Sequence, residues 1–480
     1  MKIVFAASEA APYIKTGGLG DVAQALPKAL AALGHEVKVI IPLYGKIKND
    51  KKVSDSLEFV SAINIPLAWR SQYAGIFREG QGKNPEYIFI DNEYYFKRGE
   101  NKIYGDFDDG ERFAYFSKAV VESLDKIDFI PDVIHCNDWQ TALVPVFMRS
   151  FFPQYNKVRT VFTIHNIEYQ GKLPMYYSAD VLGVDAATAM TLTYDGCINL
   201  MKGAIVISDA VTTVSNTYAE EILDPYFAHG LHNVLRENKH KLFGIVNGID
   251  QEVFNPQNDA CLYSTYGANA EGMKAKAQNK LFLQEMLGLR PEKDVPMIAM
   301  ITRLVGHKGM DLVCRVIHEI MNLGVQLVIL GTGDTEYEEL MRKTAKQYEG
   351  RMAAEIRFDP KLANQVYAGA DIFLMPSKSE PCGLSQMVAM RYGTIPVVRE
   401  TGGLKDTVAA YNPVEEIGRG FTFVDYNAHE MLYAVERCVD FYRNNRAGFE
   451  KLKKKDMRVD FSWKNSVKQY LKVYKKPSCK

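Results

Sequence analysis

Ile3-Val4-Phe5-Ala6-Ala7 is a short apolar run, and the glycine-rich stretch Lys15-Thr16-Gly17-Gly18-Leu19-Gly20-Asp21 follows it closely in the chain. An apolar run of this length that ends in turn residues predicts a buried strand. The glycines lead into Asp21–Leu33, whose composition is compatible with a helix. A strand, a glycine-rich loop and a helix in this order predict the first unit of a parallel α/β sheet.

The same alternation of short apolar runs and helix-compatible segments continues to the end of the chain. In the first half, the predicted strands are Ile3–Ala7, Val37–Ile41, Tyr87–Ile90, Val133–His135, Val161–His165 and Ala210–Val214, with helices including Asp21–Leu33, Arg112–Val121, Ala142–Ser150 and Thr217–Leu223. In the second half, the predicted strands are Met297–Ile301, Gln326–Leu330, Glu355–Phe358, Ile372–Met375 and Ile395–Val398, with helices at Asp311–Met321, Tyr337–Gln347, Lys361–Gly369 and Ser385–Tyr392. Two doubly wound, Rossmann-like α/β domains explain this pattern better than one large sheet.

The length of 480 residues also predicts two domains, because one hydrophobic core rarely grows that large. The turn Asn247-Gly248-Ile249-Asp250 marks the join, which gives domains of residues 1–245 and 246–460. A closing helix over about 461–480 is expected to pack back on the first domain. We interpret the basic segment Lys453–Lys455 before it as a solvated face. Ligands of open α/β sheets bind at the carboxyl ends of strands, so we expect the domains to face each other across a cleft.

The composition excludes several classes of partner. There are 58 basic and 58 acidic residues, so no net charge favours nucleic acid or an anionic membrane. The seven cysteines are scattered and form no C-x-x-C pair, which favours reduced thiols over disulfides or zinc. Neither a signal peptide nor a transmembrane span is recognisable, so we expect a cytoplasmic protein.

The glycine-rich loop predicts contact with an anion, because glycines let the backbone approach a phosphate at a helix N-terminus. Its glycines at positions 17, 18 and 20 do not match the dinucleotide fingerprint G-x-G-x-x-G. The second strand ends in Ile41-Pro42-Leu43, without the acid that holds a ribose, which argues against an NAD-dependent oxidoreductase. Lys15 adds a cation directly before the glycines.

Ser8-Glu9-Ala10-Ala11-Pro12 and the following Lys15–Val22 loop resemble the N-terminal signature of bacterial glycogen synthases and plant starch synthases. Further segments resemble that family in the same order, namely Asn137-Asp138-Trp139, Thr163-Ile164-His165-Asn166 with Tyr169-Gln170-Gly171, Asn247-Gly248-Ile249-Asp250, Arg303-Leu304 with Lys308-Gly309, Glu380-Pro381-Cys382-Gly383-Leu384, and Thr401-Gly402-Gly403-Leu404. The resemblance implies a GT-B glycosyltransferase that transfers glucose from ADP-glucose to the non-reducing 4-hydroxyl end of an α-1,4-glucan such as glycogen. It implies retention of anomeric configuration and no metal cofactor.

The resemblance also implies roles for individual residues. The catalytic residues would be Glu380, Arg303, Lys308 and His165; the donor-binding residues Lys15, Gly18, Asp21, Asn247, Gly383, Leu384, Ser385 and Thr401; and Asp138 would lie near the acceptor sugar. Arginine binds two phosphate oxygens at once and lysine acts as a point charge, so such a pair can neutralise a leaving diphosphate. On spacing alone, a pair of surface cations would be the slightly favoured interpretation of Arg303 and Lys308, and the resemblance reverses this.

Several features limit the mechanism. Cys382 has no nearby histidine to activate it, and we interpret it as a packing residue. A second glutamate that related glycosyltransferases carry eight positions after Glu380 is replaced by Val388. Asp106-Phe107-Asp108-Asp109 is interpreted as a loop and helix cap rather than a metal motif. Because no nucleophile is identified, we expect a same-face substitution in which the departing phosphate helps to deprotonate the acceptor hydroxyl.

The sequence also departs from the family near the nucleotide base, where Arg357-Phe358 replaces a common Gly-Tyr pair. Ser379 before Glu380 and Ser385 after Leu384 are milder departures. Two alternatives stay open, a UDP-glucose-using GT-B enzyme such as a sucrose or trehalose-phosphate synthase, and a non-catalytic glucan-binding relative. The UDP-glucose-using synthases lack the Lys-Thr-Gly-Gly signature that this chain has. A non-catalytic glucan-binding relative would be expected to have lost Glu380, Arg303 or Lys308, and all three are present.

Overall fold

A computed structural model describes residues 1–79, 82–99 and 103–476. The chain forms two compact units: Met1–Asn247 together with the helix that begins at Trp463, and Gly248–Ser462. None of the helices in these described ranges is long and apolar enough to cross a membrane.

The strands of the first unit are β1 Lys2–Ala6, β2 Glu36–Pro42, β3 Leu57–Leu67, β4 Arg70–Glu79, β5 Glu86–Asp91, β6 Val133–Asn137, β7 Arg159–Ile164, β8 Lys172–Leu173, β9 Thr193–Tyr194, β10 Cys197–Asn199, β11 Ala210–Thr213 and β12 Leu242–Gly244. Across the described residues, nine of them form one sheet in the order β12-β11-β7-β6-β1-β2-β5-β4-β3. The strands from β12 to β5 are parallel, whereas β4 and β3 add an antiparallel edge. β8, β10 and β9 form a separate small sheet.

Helices flank this sheet and bury its apolar strands. They are α1 Gly18–Ala32, α2 Gly45–Asn49, α3 Lys51–Ser54, α4 Glu93–Phe96, α5 Asp109–Lys126, α6 Leu143–Phe151, α7 Ala186–Leu192, α8 Leu200–Ile207, α9 Asn216–Glu221 and α10 His232–Glu237. The side chains of Ile3, Val4 and Phe5 in β1 are fully buried, as expected for a central strand covered on both faces.

The second unit is a smaller parallel sheet with helices. Its strands are β13 Met297–Ile301, β14 Gln326–Leu330, β15 Met352–Glu355, β16 Ile372–Met375, β17 Ile395–Arg399 and β18 Phe421–Phe423, and its helices are α11 Ala270–Met286, α12 Met310–Asn322, α13 Thr335–Gln347, α14 Pro360–Gly369, α15 Ser385–Arg391, α16 Gly402–Thr407, α17 Ala428–Asn444 and α18 Arg446–Met457. In the described residues, the strand order is β15-β14-β13-β16-β17-β18. This is the order of a doubly wound nucleotide-binding domain.

The last helix, α19 Trp463–Lys475, belongs to the first unit. The Tyr474 hydroxyl lies 2.8 Å from Nδ1 of the buried His135 in β6. Arg159 at the start of β7 donates from Nε to the carbonyl of Val473 at 3.0 Å. These contacts tie the end of the chain to the centre of the first sheet.

Three predictions from the sequence are wrong in whole or in part. The strand predicted at Glu355–Phe358 lies three residues earlier in the chain. β15 pairs with β14 over Met352–Glu355, and Phe358, which follows it, is 83% exposed. Asp108 precedes α5 but makes no capping hydrogen bond, since its carboxylate pairs with Arg98. Lys453 does not lie on a solvated face, because it is 4% exposed and its ammonium is 3.0 Å from Glu450.

Candidate active site

The parallel strands of each large sheet reverse their order once, and predicted site residues follow the strands at these points. In the second unit, Arg303 and Lys308 follow β13, and Glu380 follows the neighbouring β16. In the first unit, Lys15 follows β1, and Asp138 follows the neighbouring β6. Open α/β sheets bind their ligands at the carboxyl ends of the strands at such a switch point. Each unit therefore carries predicted residues at the ligand-binding edge of its own sheet.

Lys308 and Glu380 form a partly buried ion pair. Nζ of Lys308 lies 2.7 Å from Oε2 of Glu380, and the two side chains are 20% and 9% exposed. The Ser377 hydroxyl donates to the same Oε2 at 2.9 Å. Oε1 receives no hydrogen bond from the described residues. The carboxylate is thus fixed through one oxygen and can accept hydrogen bonds from a ligand through the other.

The ion pair forms because the loops after β13 and β16 touch. Gly309 has φ of 82°, and a Cβ there would lie 2.3 Å from the carbonyl oxygen of Pro376. Only glycine tolerates both the left-handed backbone and this close approach. The Lys378 amide also donates to the carbonyl of His307 at 2.9 Å. These backbone contacts place Lys308 beside the carboxylate.

Arg303 is exposed and precedes Lys308 by five positions in the sequence. Its Nη2 is 3.2 Å from Nε2 of His307. Among the described residues, the structure gives the Arg303 guanidinium no carboxylate partner. A guanidinium without a carboxylate at the end of β13 can bind an anionic ligand, and its fork matches two phosphate oxygens.

Gly383, Leu384 and Ser385 lead into α15 at half-buried positions. Gln386, for which the sequence predicts no role, is fully buried beneath them. Its Nε2 donates to the carbonyls of Cys382 at 3.1 Å and Gly383 at 2.8 Å, and to the Thr407 hydroxyl at 3.0 Å. The side chain of Gln386 therefore fixes the loop that carries three predicted donor-binding residues.

The Thr401-Gly402-Gly403 segment packs directly on this loop. Thr401 is fully buried, and the Gly403 amide donates to the Glu380 carbonyl at 3.1 Å. A Cβ on Gly402, whose φ is 46°, would lie 2.0 Å from the same carbonyl oxygen. The segment therefore supports the backbone of Glu380.

In the first unit, Glu9 has no predicted role, yet it organises the glycine-rich loop. It is 1% exposed, and its carboxylate accepts hydrogen bonds from Thr16 N at 2.8 Å, Thr16 Oγ1 at 2.6 Å, Gly17 N at 3.2 Å and Gly20 N at 2.9 Å. Burial raises the pKa of Glu9, and the hydrogen bonds from Thr16, Gly20 and Gly17 oppose that shift. The amides of Gly17 and Gly20 therefore bind a carboxylate of the protein itself.

Lys15, Gly18 and Asp21 remain accessible on the same loop. Nζ of Lys15 lies 2.7 Å from Oδ1 of Asp21, and the two side chains are 40% and 28% exposed. Gly18 is exposed, and its amide has no hydrogen-bond acceptor among the described residues. Lys15 and the Gly18 amide can thus contact an anion.

Asp138 and His165 meet at the carboxyl ends of β6 and β7. Oδ1 of Asp138 accepts hydrogen bonds from the amides of His165 at 2.8 Å and Asn166 at 3.4 Å. Burial raises the pKa of Asp138 to about 7, because these two hydrogen bonds only partly offset the desolvation of the carboxylate. The carboxyl group of Asp138 is thus expected to change between its protonated and ionised forms near neutral pH.

The tautomer of His165 follows from its neighbours. Nδ2 of Asn137 donates to the carbonyl of Ala6 at 3.0 Å, so the Asn137 side-chain oxygen must be the atom that faces Nε2 of His165 at 2.9 Å. Burial lowers the pKa of His165 to about 3, which keeps the ring neutral at physiological pH. The proton therefore resides on Nε2, and Nδ1 is a hydrogen-bond acceptor.

Asn247 is 5% exposed, and its Oδ1 is buried without a hydrogen-bond partner in the described part of the chain. An unpaired buried amide oxygen is unfavourable. A bound hydroxyl donor would satisfy it.

Comparison with known proteins identifies the family. A profile for the starch synthase catalytic domain matches residues 2–237, and one for glycosyl transferases group 1 matches residues 287–454. The glycogen synthase of Geobacillus thermodenitrificans is 48% identical over 479 residues, which cover 99% of this chain and 97% of that protein. The chain belongs to the glycogen synthase and starch synthase family. The family predicted from the motifs is thereby confirmed.

Solved structures of this family and of a related enzyme support the fold. The catalytic domain of starch synthase IV from Arabidopsis thaliana, bound to ADP and acarbose, is 34% identical with a TM-score of 0.89, and the match covers 98% of both chains. Sucrose-phosphate synthase from Thermosynechococcus elongatus is 18% identical with a TM-score of 0.61, again over 98% of both chains, and shares the fold alone. The predicted fold class, a GT-B glycosyltransferase of two Rossmann-like units, is confirmed.

Three further features of the sequence were not expected to take part in the chemistry. Cys382 is 6% exposed and Val388 is 2% exposed, so both lie within the packing of their unit. The acidic segment near residue 106 binds arginine, because Asp106 lies 3.0 Å from Nη1 of the buried Arg112. Cys479 lies outside the described residues.

Proposed function

We propose that the chain transfers glucose from ADP-glucose to the non-reducing 4-hydroxyl end of an α-1,4-glucan, with retention of configuration. The observation that carries this proposal is the Lys308–Glu380 pair beside Arg303 at the switch point of the second sheet. A non-catalytic glucan-binding relative would have no need of this charged cluster, in a chain 48% identical to a glycogen synthase over almost its full length.

In this proposal, Arg303 and Lys308 bind the diphosphate of the donor and stabilise the negative charge that grows as the glycosidic bond breaks. Lys308 is held beside the carboxylate by the protein's own contacts, so its charge needs little reorganisation. Lys15 and the Gly18 amide contribute to donor binding from the first unit, with Asp21 orienting Lys15. Gly383, Leu384, Ser385 and Thr401 form or support the phosphate-facing loop of the second unit, consistent with the Gln386 hydrogen bonds beneath it.

The sugar contacts follow from the unsatisfied acceptors. In the first unit, Nδ1 of His165 and Oδ1 of Asn247 can each accept a hydrogen bond from a sugar hydroxyl, and in the second unit Oε1 of Glu380 can do so. His165 is neutral and keeps its proton on Nε2, so it acts as an acceptor and not as a general acid. Asp138 serves the acceptor sugar, whose hydroxyl can donate to its carboxylate.

The chemistry needs no protein nucleophile. The 4-hydroxyl of the acceptor attacks the anomeric carbon on the face from which the diphosphate leaves, and the departing phosphate oxygen takes the hydroxyl proton. The new carbon–oxygen bond and the broken one involve the same face, so configuration is retained. The protein contributes positioning and electrostatic stabilisation of the leaving group.

We also propose that no metal ion is required. In the described residues, no three His, Cys, Asp or Glu side chains form a metal-binding group, and the cations of the switch-point loops can carry the charge-neutralising role. Activity should therefore be unchanged after treatment with EDTA. Loss of activity that magnesium or manganese restores would contradict this.

The function is tested by incorporation of radiolabelled glucose into glycogen from ADP-glucose and, in parallel, from UDP-glucose. The proposal expects efficient transfer from ADP-glucose, and digestion of the product with an enzyme specific for α-1,4 linkages should release the label. A clear preference for UDP-glucose would replace the donor assignment. Absence of transfer from both donors, while glycogen still binds, would support the non-catalytic alternative.

A further inference from the structure

A buried carboxylate lies beneath the glycine-rich loop, and the mechanism proposed above does not use it. α1 begins at Gly18, so the amides of Gly17 and Gly20 belong to the N-cap and the third helical residue. A serine or aspartate at the N-cap normally accepts from the amide of the second or third helical residue, and Gly17 has no side chain with which to do so. Glu9 accepts both amides from outside the helix and places a negative charge at its positive end.

The same carboxylate determines where Lys15 lies. Thr16, the next residue after Lys15, donates both its amide and its hydroxyl to Glu9. On the other side of the loop, a Cβ on Gly20 would lie 3.0 Å from Cγ of Lys15, so the lysine stem crosses directly over this glycine. The ammonium then reaches Asp21 at 2.7 Å. Glu9 therefore holds the residues on both sides of the lysine stem.

We propose that Glu9 is a positioning residue for the donor. Its carboxylate holds the loop from Thr16 to Gly20 in the conformation that presents Lys15, and it acts on ADP binding only through this lysine. This inference rests on the proposed function, because its ligand is the ADP portion of the donor.

Glu9→Gln tests the proposal with little change in volume. The amide of glutamine would place an N–H where the carboxylate accepts hydrogen bonds, so at least one of the four bonds becomes a contact between two donors. The loop should relax, and Lys15 should lose its fixed position. We expect ADP to bind about tenfold to a hundredfold more weakly, because this is the change in affinity that corresponds to the loss of one hydrogen bond to a charged group.

A double-mutant cycle with Lys15→Ala separates positioning from a general structural role. ADP affinity is measured by titration calorimetry for the wild type, each single variant and the double variant. If Glu9 acts through Lys15, the double variant should bind ADP within about threefold of Lys15→Ala alone. Losses that add would overturn the proposal, and so would wild-type affinity in Glu9→Gln.

Val22→Ala is the matched control for stability, since Val22 is 1% exposed in α1 and its side chain has no group that hydrogen-bonds to the carboxylate. It should lower the unfolding temperature and leave ADP affinity unchanged. An equal loss of affinity in this control would assign the effect to general destabilisation and overturn the proposal.

Thr16→Val is a second probe if Glu9→Gln does not fold. It removes one of the four hydrogen bonds without changing charge. We expect it to weaken ADP binding about fivefold in the wild-type background and to have no effect in the Lys15→Ala background. The same loss in both backgrounds would overturn the proposal.

The double-mutant cycle measures ADP affinity, so failure of this proposal can be told apart from failure of the proposed function. A wild-type chain that binds ADP but transfers no glucose would contradict the proposed function, while the cycle would still decide the role of Glu9. A wild-type chain that binds no ADP would overturn both.

Discussion

Replacing Lys308 with alanine removes the cation that the structure places closest to Glu380. The ammonium and the carboxylate are 2.7 Å apart with side chains 20% and 9% exposed, so water compensates little for the loss. Among the described residues, the Glu380 carboxylate would then keep a hydrogen bond from Ser377 alone. Breaking a buried pair costs about 3–5 kcal/mol of stability, and the partial exposure of Lys308 places the expected loss at or below the lower end.

The catalytic loss is separate from the loss of stability. If Lys308 stabilises charge that develops on the leaving diphosphate, its contribution is larger in the transition state than in the bound donor. Removing one such donor costs about 2.7–4 kcal/mol, which corresponds to a decrease of about a hundredfold to a thousandfold in kcat. The donor KM should change much less. Lys308→Arg should restore little, because a planar guanidinium does not replace a point charge.

The assay is the initial rate of glucose transfer to glycogen at varied ADP-glucose, together with thermal unfolding of each variant. Lys361→Ala is the matched control, since Lys361 is an exposed lysine in α14 of the same unit. It should leave kcat and KM unchanged. If folded Lys308→Ala keeps the wild-type kcat and changes only KM, Lys308 binds the donor and has no leaving-group role.

Three further predictions concern single side chains. Glu380→Gln should lower kcat by at least about a hundredfold with a native circular dichroism spectrum, and near-normal turnover would refute its role. Cys382→Ser should keep most of the activity because the buried thiol serves packing, whereas complete loss in a folded variant would favour a thiol mechanism. Burial raises the pKa of Asp138 to about 7, so from about pH 4 to about pH 7 the folded chain keeps a proton that the unfolded chain has lost. The stability of the wild type relative to Asp138→Asn should therefore fall as the pH rises through this window, and equal differences in unfolding temperature at about pH 5 and about pH 8 would contradict this.

The sequence predicts those parts of the fold that carry strong local signals. β1, β13 and β14 are continuous apolar runs bounded by turns, and the structure has them almost as predicted. β15 was misplaced because Ala353 and Ala354 have low strand propensity, while the aromatic Phe358 suggested a strand where the chain leaves the sheet. The β3–β4 hairpin has no glycine at its turn, where Ala68 adopts φ of 50°, and so it lacked the usual hairpin signal.

The residues of the candidate site likewise divide into those that the sequence predicts and those that it does not. Residues after strand ends, such as Arg303 and Asp138, can be placed from the sequence because parallel strands end at one edge of the sheet. The partners that fix them cannot, since the contacts of Ser377 and Gln386 depend on how two loops pack. Glu9 did carry a signal, because it is the only charge between Phe5 and Pro12, and a charge within a buried small-residue segment requires hydrogen-bond partners.

The free-energy cost of an aspartate at position 138 is evidence about its function, in addition to the contacts that its side chain makes. Its backbone adopts φ of 56° and ψ of 179°, a region suited to glycine, which costs another residue about 1–3 kcal/mol. Burial adds a second cost by raising the pKa of its carboxyl to about 7. Glycine would make the same turn without either penalty. The carboxylate, and not the turn, is therefore the reason for an aspartate at the carboxyl end of β6, and this favours a direct role toward the acceptor sugar.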